Sequence, residues 1–122
     1  MFTALFEIAA VLNQEGIATE ILQMGAHPVH DCMGCNYCQG KGQGKCVFND
    51  DIANTLIEKA KDADGFIFGS PVYYAHPTGQ IQAILDRVFY AGAGNFMYKP
   101  GAAIVTARRA GTTASLDVLN KY

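Results

Sequence analysis

Within residues 64–80 a short apolar run, Phe66-Ile67-Phe68, leads through Gly69, Ser70 and Pro71 into Val72-Tyr73-Tyr74-Ala75-His76, and a helical pattern begins near Thr78. The run is too short for a helix and rich in β-formers, which fits a strand buried on both faces. Gly69 and Ser70 close it, and Pro71 lacks the amide donor that a continuing strand would need. Strand, loop and helix in that order put the loop outside the carboxyl end of a strand, where open α/β sheets bind ligands. Two adjacent tyrosines there suit a flat, partly apolar ligand.

The rest of the chain alternates helical and extended patterns around that segment. Leu5, Ile8, Ala9 and Leu12 recur at helical spacing within residues 2–15, and Gly16 follows where a left-handed C-terminal residue belongs. Residues 17–22 alternate as a strand, with Ile17, Thr19 and Ile21 on one face. Residues 23–49 have no period and carry every cysteine, a long loop of the kind that tends to be functional. Asn49, Asp50 and Asp51 offer N-caps to a helix bearing Ile52, Leu56, Ile57 and Ala60. Ile81, Ile84, Leu85 and Val88 form one stripe over residues 78–90, beside an Asp86-Arg87 step suited to an ion pair with a neighbouring segment or subunit. Gly92 and Gly94 break that helix; residues 102–106 then read as a second buried strand and residues 112–120 as the start of another helix. Helices alternating with strands imply parallel strands joined by crossover helices. The pattern opens on a helix and ends inside one, so a truncated chain is expected.

Composition narrows the function classes. A chain of 122 residues, half of them hydrophobic and 16% charged, suits one globular domain over residues 1–122. A net charge of −2 provides no basic surface for nucleic acid or anionic lipid. No stretch has the length of a membrane span, and Glu7 interrupts the apolar residues 2–12 with no basic segment before them, which argues against a signal peptide. A cytoplasmic protein is expected. Four cysteines crowded between positions 32 and 46 are then metal or redox groups rather than a disulfide framework.

Their spacing is C-x2-C-x2-C-x7-C, a compact thiolate set of the kind that holds a cubane cluster. Zinc also takes four thiolates, though structural zinc sites use two separated pairs. Free or redox-active thiols are the third reading, and the glycine-rich insert at residues 40–45 reads as flexible. Elsewhere His76 is either a donor to a ligand or a solvated loop histidine. Phe89, Tyr90, Phe96 and Tyr98 read as core or subunit contacts, and no Ser/His/Asp set has the context of a hydrolase.

Several segments together resemble the NADPH-dependent FMN reductase family, in particular its iron-sulfur flavoprotein and multimeric-flavodoxin branch. They are Cys32-Met33-Gly34-Cys35-Asn36-Tyr37-Cys38, residues 44–51, residues 63–74 with Gly-Ser-Pro-Val-Tyr as the most specific part, Thr78-Gly79-Gln80, and Asp86-Arg87. The resemblance covers about residues 2–112 and implies an α/β, flavodoxin-like doubly wound parallel sheet, here lacking the first strand and the phosphate-binding loop of Gly-Ser-Pro-Arg type that precedes the first helix.

It further implies FMN at the carboxyl edge of the sheet. The ring would lie along Ser70, Pro71, Val72, Tyr73, Tyr74 and Ala75, with Thr106, Ala107, Arg108, Arg109 and Gly111 meeting its pyrimidine end. A flavin needs an apolar face to stack on and amide donors for its reduced, partly anionic form. Arg108 or Arg109 would also suit the phosphate of NADPH, since a guanidinium fork matches phosphate; the plain alternative is two surface arginines. In the iron-sulfur branch Cys32, Cys35, Cys38 and Cys46 would ligate a 4Fe-4S centre. The expected activity is electron transfer from NAD(P)H through the flavin to a small acceptor such as a quinone or another flavin, in a homodimer or homotetramer. The alternatives are an electron carrier that never binds nicotinamide and an inactive fragment.

Overall fold

The computed structural model describes residues 1–24 and 27–122; residues 25 and 26 of the long loop lie outside the described residues. Helix α1 spans Phe2–Gln14 and stops as expected at Gly16, whose φ of +79° a side chain would resist. Helix α2 spans Ala53–Lys59, α3 Gly79–Gly92 and α4 Thr112–Leu119. Strands β1 (Phe66–Tyr73), β2 (His76–Pro77) and β3 (Gly101–Thr106) form one sheet in the order β2-β1-β3. β1 and β3 run parallel, from Phe66 against Gly101 to Pro71 against Thr106, and α3 is the crossover between them. This is the mixed α/β arrangement of a flavodoxin-like fold.

Helix α3 forms where its sequence periodicity says. Thr78 caps it, its hydroxyl accepting from the Ile81 amide at 3.3 Å. Ile81, Ile84, Leu85 and Val88 are all buried, each contributing about 1.5–3 kcal/mol relative to exposure. Ile84 and Val88 pack with Ala53 and Ile57 of α2, while Ile81 and Leu85 pack with Leu119 of α4 and with Phe68, Ala103 and Val105 of the sheet. The opposite face of β1 meets α1: a methyl group on Gly69 would lie 2.8 Å from Met1 Sδ and 3.0 Å from Leu5 Cδ1.

Three expectations change. β1 does not end at Ser70 but continues through Pro71 to Tyr73. Pairing with β2 begins only at Val72, so Pro71 stands where the outer edge of β1 has no hydrogen-bonded neighbour among the described residues, a place where a missing donor is tolerated. Nor is β1 buried on both faces, since Ile67 is exposed. Residues 17–22 form no strand. An extended run needs a neighbouring ladder. Here Thr19 instead donates its amide and hydroxyl to Asn13 Oδ1, both at 3.1 Å, and Glu20 pairs with Lys59 at 2.8 Å.

Candidate functional site

The parallel register puts the ends of β1 and β3 side by side, with Ser70 opposite Val105 and Pro71 opposite Thr106. The segments expected to meet a ligand, residues 70–75 and 106–111, therefore leave the same edge of the sheet. Tyr73 pairs with His76, so Tyr74 and Ala75 are the two central residues of a tight hairpin. Their φ values are +51° and +67°, the pattern of a type I′ turn. Such turns favour Asn-Gly; a tyrosine and an alanine hold this conformation at a cost on the order of 1 kcal/mol each. The turn leaves Tyr74 99% exposed and Tyr73 61% exposed, so both phenol rings present surface to solvent at the edge.

The two loops touch. Gly111, at φ +99°, lies directly against Ala75, and begins α4. Thr106 and Ala107 are half-buried beneath the loop, and Arg108 and Arg109 are exposed on it. Val72 and Pro71 are half-buried at the strand end. Ser70 has a different place: it is wholly buried, its hydroxyl donating to the Pro71 carbonyl at 2.8 Å and accepting from the Thr78 amide at 3.0 Å. That hydroxyl fastens the loop to the start of α3 from beneath. His76 is exposed, with Nδ1 held 2.7 Å from the Pro77 carbonyl oxygen.

The cysteines form a second centre along α3. Cys32, Cys35, Cys38 and Cys46 all line one concavity together with Asn36, Phe48, Arg87 and Tyr90. Cys32 and Cys35 are exposed, Cys38 and Cys46 half-buried. Among the described residues no three Cys, His, Asp or Glu side chains are gathered closely enough to hold a metal ion. The loop is nevertheless tied down at several points. Asn36 takes a left-handed conformation and accepts from the Tyr90 hydroxyl at 2.8 Å; Gln39 Nε2 donates to the Tyr90 carbonyl at 2.7 Å. The insert expected to be flexible folds back as hydrogen-bonded turns, with the Gly44 amide 2.8 Å from the Cys38 carbonyl.

Cys46 is clamped from two sides. Its amide donates to Asn54 Oδ1 at 2.7 Å and its carbonyl accepts from Asn54 Nδ2 at 2.9 Å. Its sulfur accepts from Arg87 Nε at 3.2 Å. Arg87 is 2% exposed and forms a buried ion pair with Asp51. Burial raises the Asp51 carboxyl, but hydrogen bonds from Arg87 and from the Ala53 and His30 amides outweigh it, holding the group below the usual carboxylate range. Burial likewise lowers Arg87, and its hydrogen bonds to Asp51 and Cys46 more than reverse this, keeping it charged. The expected capping of α2 is thus only part of what Asp51 does: Oδ1 accepts from the Ala53 amide, while Oδ2 serves Arg87 and the His30 amide. Asp50 does not cap the helix but faces His30 Nε2 at 2.9 Å. Asn54, Gln39 and Asn36 carry no cue in the sequence. Arg87 does: a cation three residues after Ile84 on a buried stripe must find a partner.

With this geometry in view, comparison with known proteins is decisive. The family model described as NADPH-dependent FMN reductase matches residues 2–122. The chain belongs to the NADPH-dependent FMN reductase family. Its similar proteins within this FMN-binding family include an iron-sulfur flavoprotein of Methanocaldococcus jannaschii, 38% identical over 81 residues, covering 66% of this chain and 40% of that relative. An iron-sulfur flavoprotein of Archaeoglobus fulgidus is 33% identical over 89 residues, covering 73% of this chain and 42% of its own. One of Methanosarcina thermophila is 32% identical over 96 residues, covering 77% and 49%. The chain thus spans less than half the length of these relatives. No solved structure matches it significantly. No helix among the described residues is long and apolar enough to cross a membrane.

Proposed function

We propose that this chain provides the ring-binding edge of an FMN-dependent oxidoreductase that takes electrons from NAD(P)H and passes them to a small acceptor. The observation that carries this reading is the register of Pro71 against Thr106, which brings two strand ends, two exposed tyrosines and two exposed arginines to one edge. FMN bound there would supply hydride acceptance and one-electron release. The protein's part is placement: Tyr73 and Tyr74 offer aromatic faces, the 106–111 loop borders the same space, and Arg108 and Arg109 offer guanidinium forks for phosphate. Ser70 keeps the edge in register with α3 through its buried hydroxyl. The neighbouring subunit of a homodimer or homotetramer would cover the open side.

The four cysteines suit a 4Fe-4S centre better by their chemistry than by their present positions. Four thiols line one concavity, and a cubane needs them around a volume rather than converging on a point. Such a centre would let electrons leave the flavin one at a time. The second reading, an electron carrier that never binds nicotinamide, is favoured by the same concavity.

The test is a titration of purified protein with FMN, followed by flavin fluorescence and then by NADPH and NADH oxidation under steady turnover. Saturable quenching that weakens in Tyr74→Ala, with turnover, supports the reductase. Quenching without turnover supports the carrier, and no quenching at all ends the flavin reading.

A further inference from the structure

We propose that Arg87 is the positioning residue of the cysteine centre, its guanidinium fixing the Cys46 sulfur and donating to it when that sulfur ligates a cluster. The inference rests on the iron-sulfur reading above and concerns a residue on α3, outside the cysteine loop.

Cys32, Cys35 and Cys38 are separated by only two residues each, but Cys46 follows seven intervening residues. Bringing it to a common centre closes the longest loop and so carries the largest entropic cost of the four. The fold meets that cost in advance. Asn54 holds the Cys46 backbone through both amide and carbonyl, and Arg87 Nε lies 3.2 Å from its sulfur. Arg87 itself cannot drift. Nη1 donates to Asp51 and to the His30 carbonyl at 3.1 Å, Nη2 reaches the Phe48 carbonyl at 3.4 Å, and the guanidinium carbon stands 5.4 Å from the centre of the Phe48 ring.

The Nε contact is the informative one. Asp51 and the His30 and Phe48 carbonyls take the Nη donors, which leaves the buried Nε–H with Cys46 Sγ as its acceptor. A donor directed at a cluster thiolate stabilises the more negative, reduced state and raises the reduction potential. Arg87 would thus set both how firmly the fourth ligand is held and how readily the centre accepts an electron.

The experiment uses the full chain, reconstituted anaerobically with ferrous iron and sulfide, beside Arg87→Lys and the charge-paired double variant Arg87→Gln/Asp51→Asn. Lysine keeps a cation next to Asp51 but lacks the Nε–H; the double variant removes both buried charges together. Wild-type protein should take up iron and sulfide in cluster stoichiometry. Variants that keep wild-type circular dichroism should release iron to a chelator about tenfold faster and show a midpoint potential shifted to more negative values. If neither variant folds, wild-type protein labelled with nitrogen-15 arginine decides instead. A nitrogen-15 hyperfine coupling in the reduced, paramagnetic cluster supports the contact, and its absence overturns it. Iron uptake by wild type with unchanged release and potential in folded variants overturns the role of Arg87 alone. No iron uptake by wild type overturns the cluster reading and this inference with it.

Discussion

A methyl group on Gly111 would lie 2.4 Å from the Cα of Ala75 and 2.9 Å from its Cβ, so the loop after β3 rests directly on the turn after β1. The contact joins the two strand ends into one surface, and both residues sit at positive φ.

Gly111→Ala is therefore expected to be costly on two counts. The side chain meets backbone that cannot swing away, and the left-handed conformation alone costs an alanine about 1–2 kcal/mol. A lower thermal midpoint, together with weaker FMN quenching, is the expected result. A midpoint equal to wild type would mean the loops separate freely.

Ala75→Gly should act in the opposite direction. The second central position of a type I′ turn prefers glycine, so relief of strain should stabilise the fold by about 0.5–1 kcal/mol. Chemical denaturation reads this directly. If flavin binding weakens at the same time, the strained alanine is kept for the geometry it gives Tyr74.

Removing the Ser70 hydroxyl breaks two buried hydrogen bonds and leaves the Thr78 amide without its side-chain acceptor. Ser70→Ala should cost about 1–3 kcal/mol in urea unfolding. Loss of flavin affinity should follow only in proportion to that destabilisation, because the hydroxyl faces inward.

Asp51→Asn should cost about 3–5 kcal/mol at neutral pH, since it leaves the Arg87 charge buried without its counter-ion. The pH dependence follows from the lowered carboxyl of Asp51. Its contribution is fully present above the unfolded carboxylate value of about 4 and is lost as pH falls through the lower folded value. Wild-type stability should consequently decline below about pH 4, and the variant should show a flatter acid limb. Parallel acid limbs for the two proteins would show that other carboxylates govern the decline.

Much of this was legible because periodicity reports burial. Ile81, Ile84, Leu85 and Val88 announced α3, and the apolar run at Ala102 announced β3, with boundaries within a residue or two. Where the sequence misleads, tertiary context is the cause. Residues 17–22 have strand composition, but pairing needs a neighbour, and their polar groups turn to Asn13 and Lys59 instead. Pro71 reads as a stop because the rule concerns a donor, while the structure places that residue where no donor is required. The convergence of residues 70–75 with 106–111 was readable from strand–loop order taken together with the family resemblance. The Asn54 and Arg87 clamps on Cys46 were not, because they join residues 8 and 41 positions apart and no local pattern encodes such a meeting.

Helix α3 begins at the tyrosine edge, where its Thr78 amide is fastened to Ser70, and passes Arg87 beside Cys46. Gly79 and Arg87 are separated by about 12 Å of helical rise. Both places hang from a single helix, so the spacing between the Ser70 tie and the Cys46 clamp is set by α3 itself.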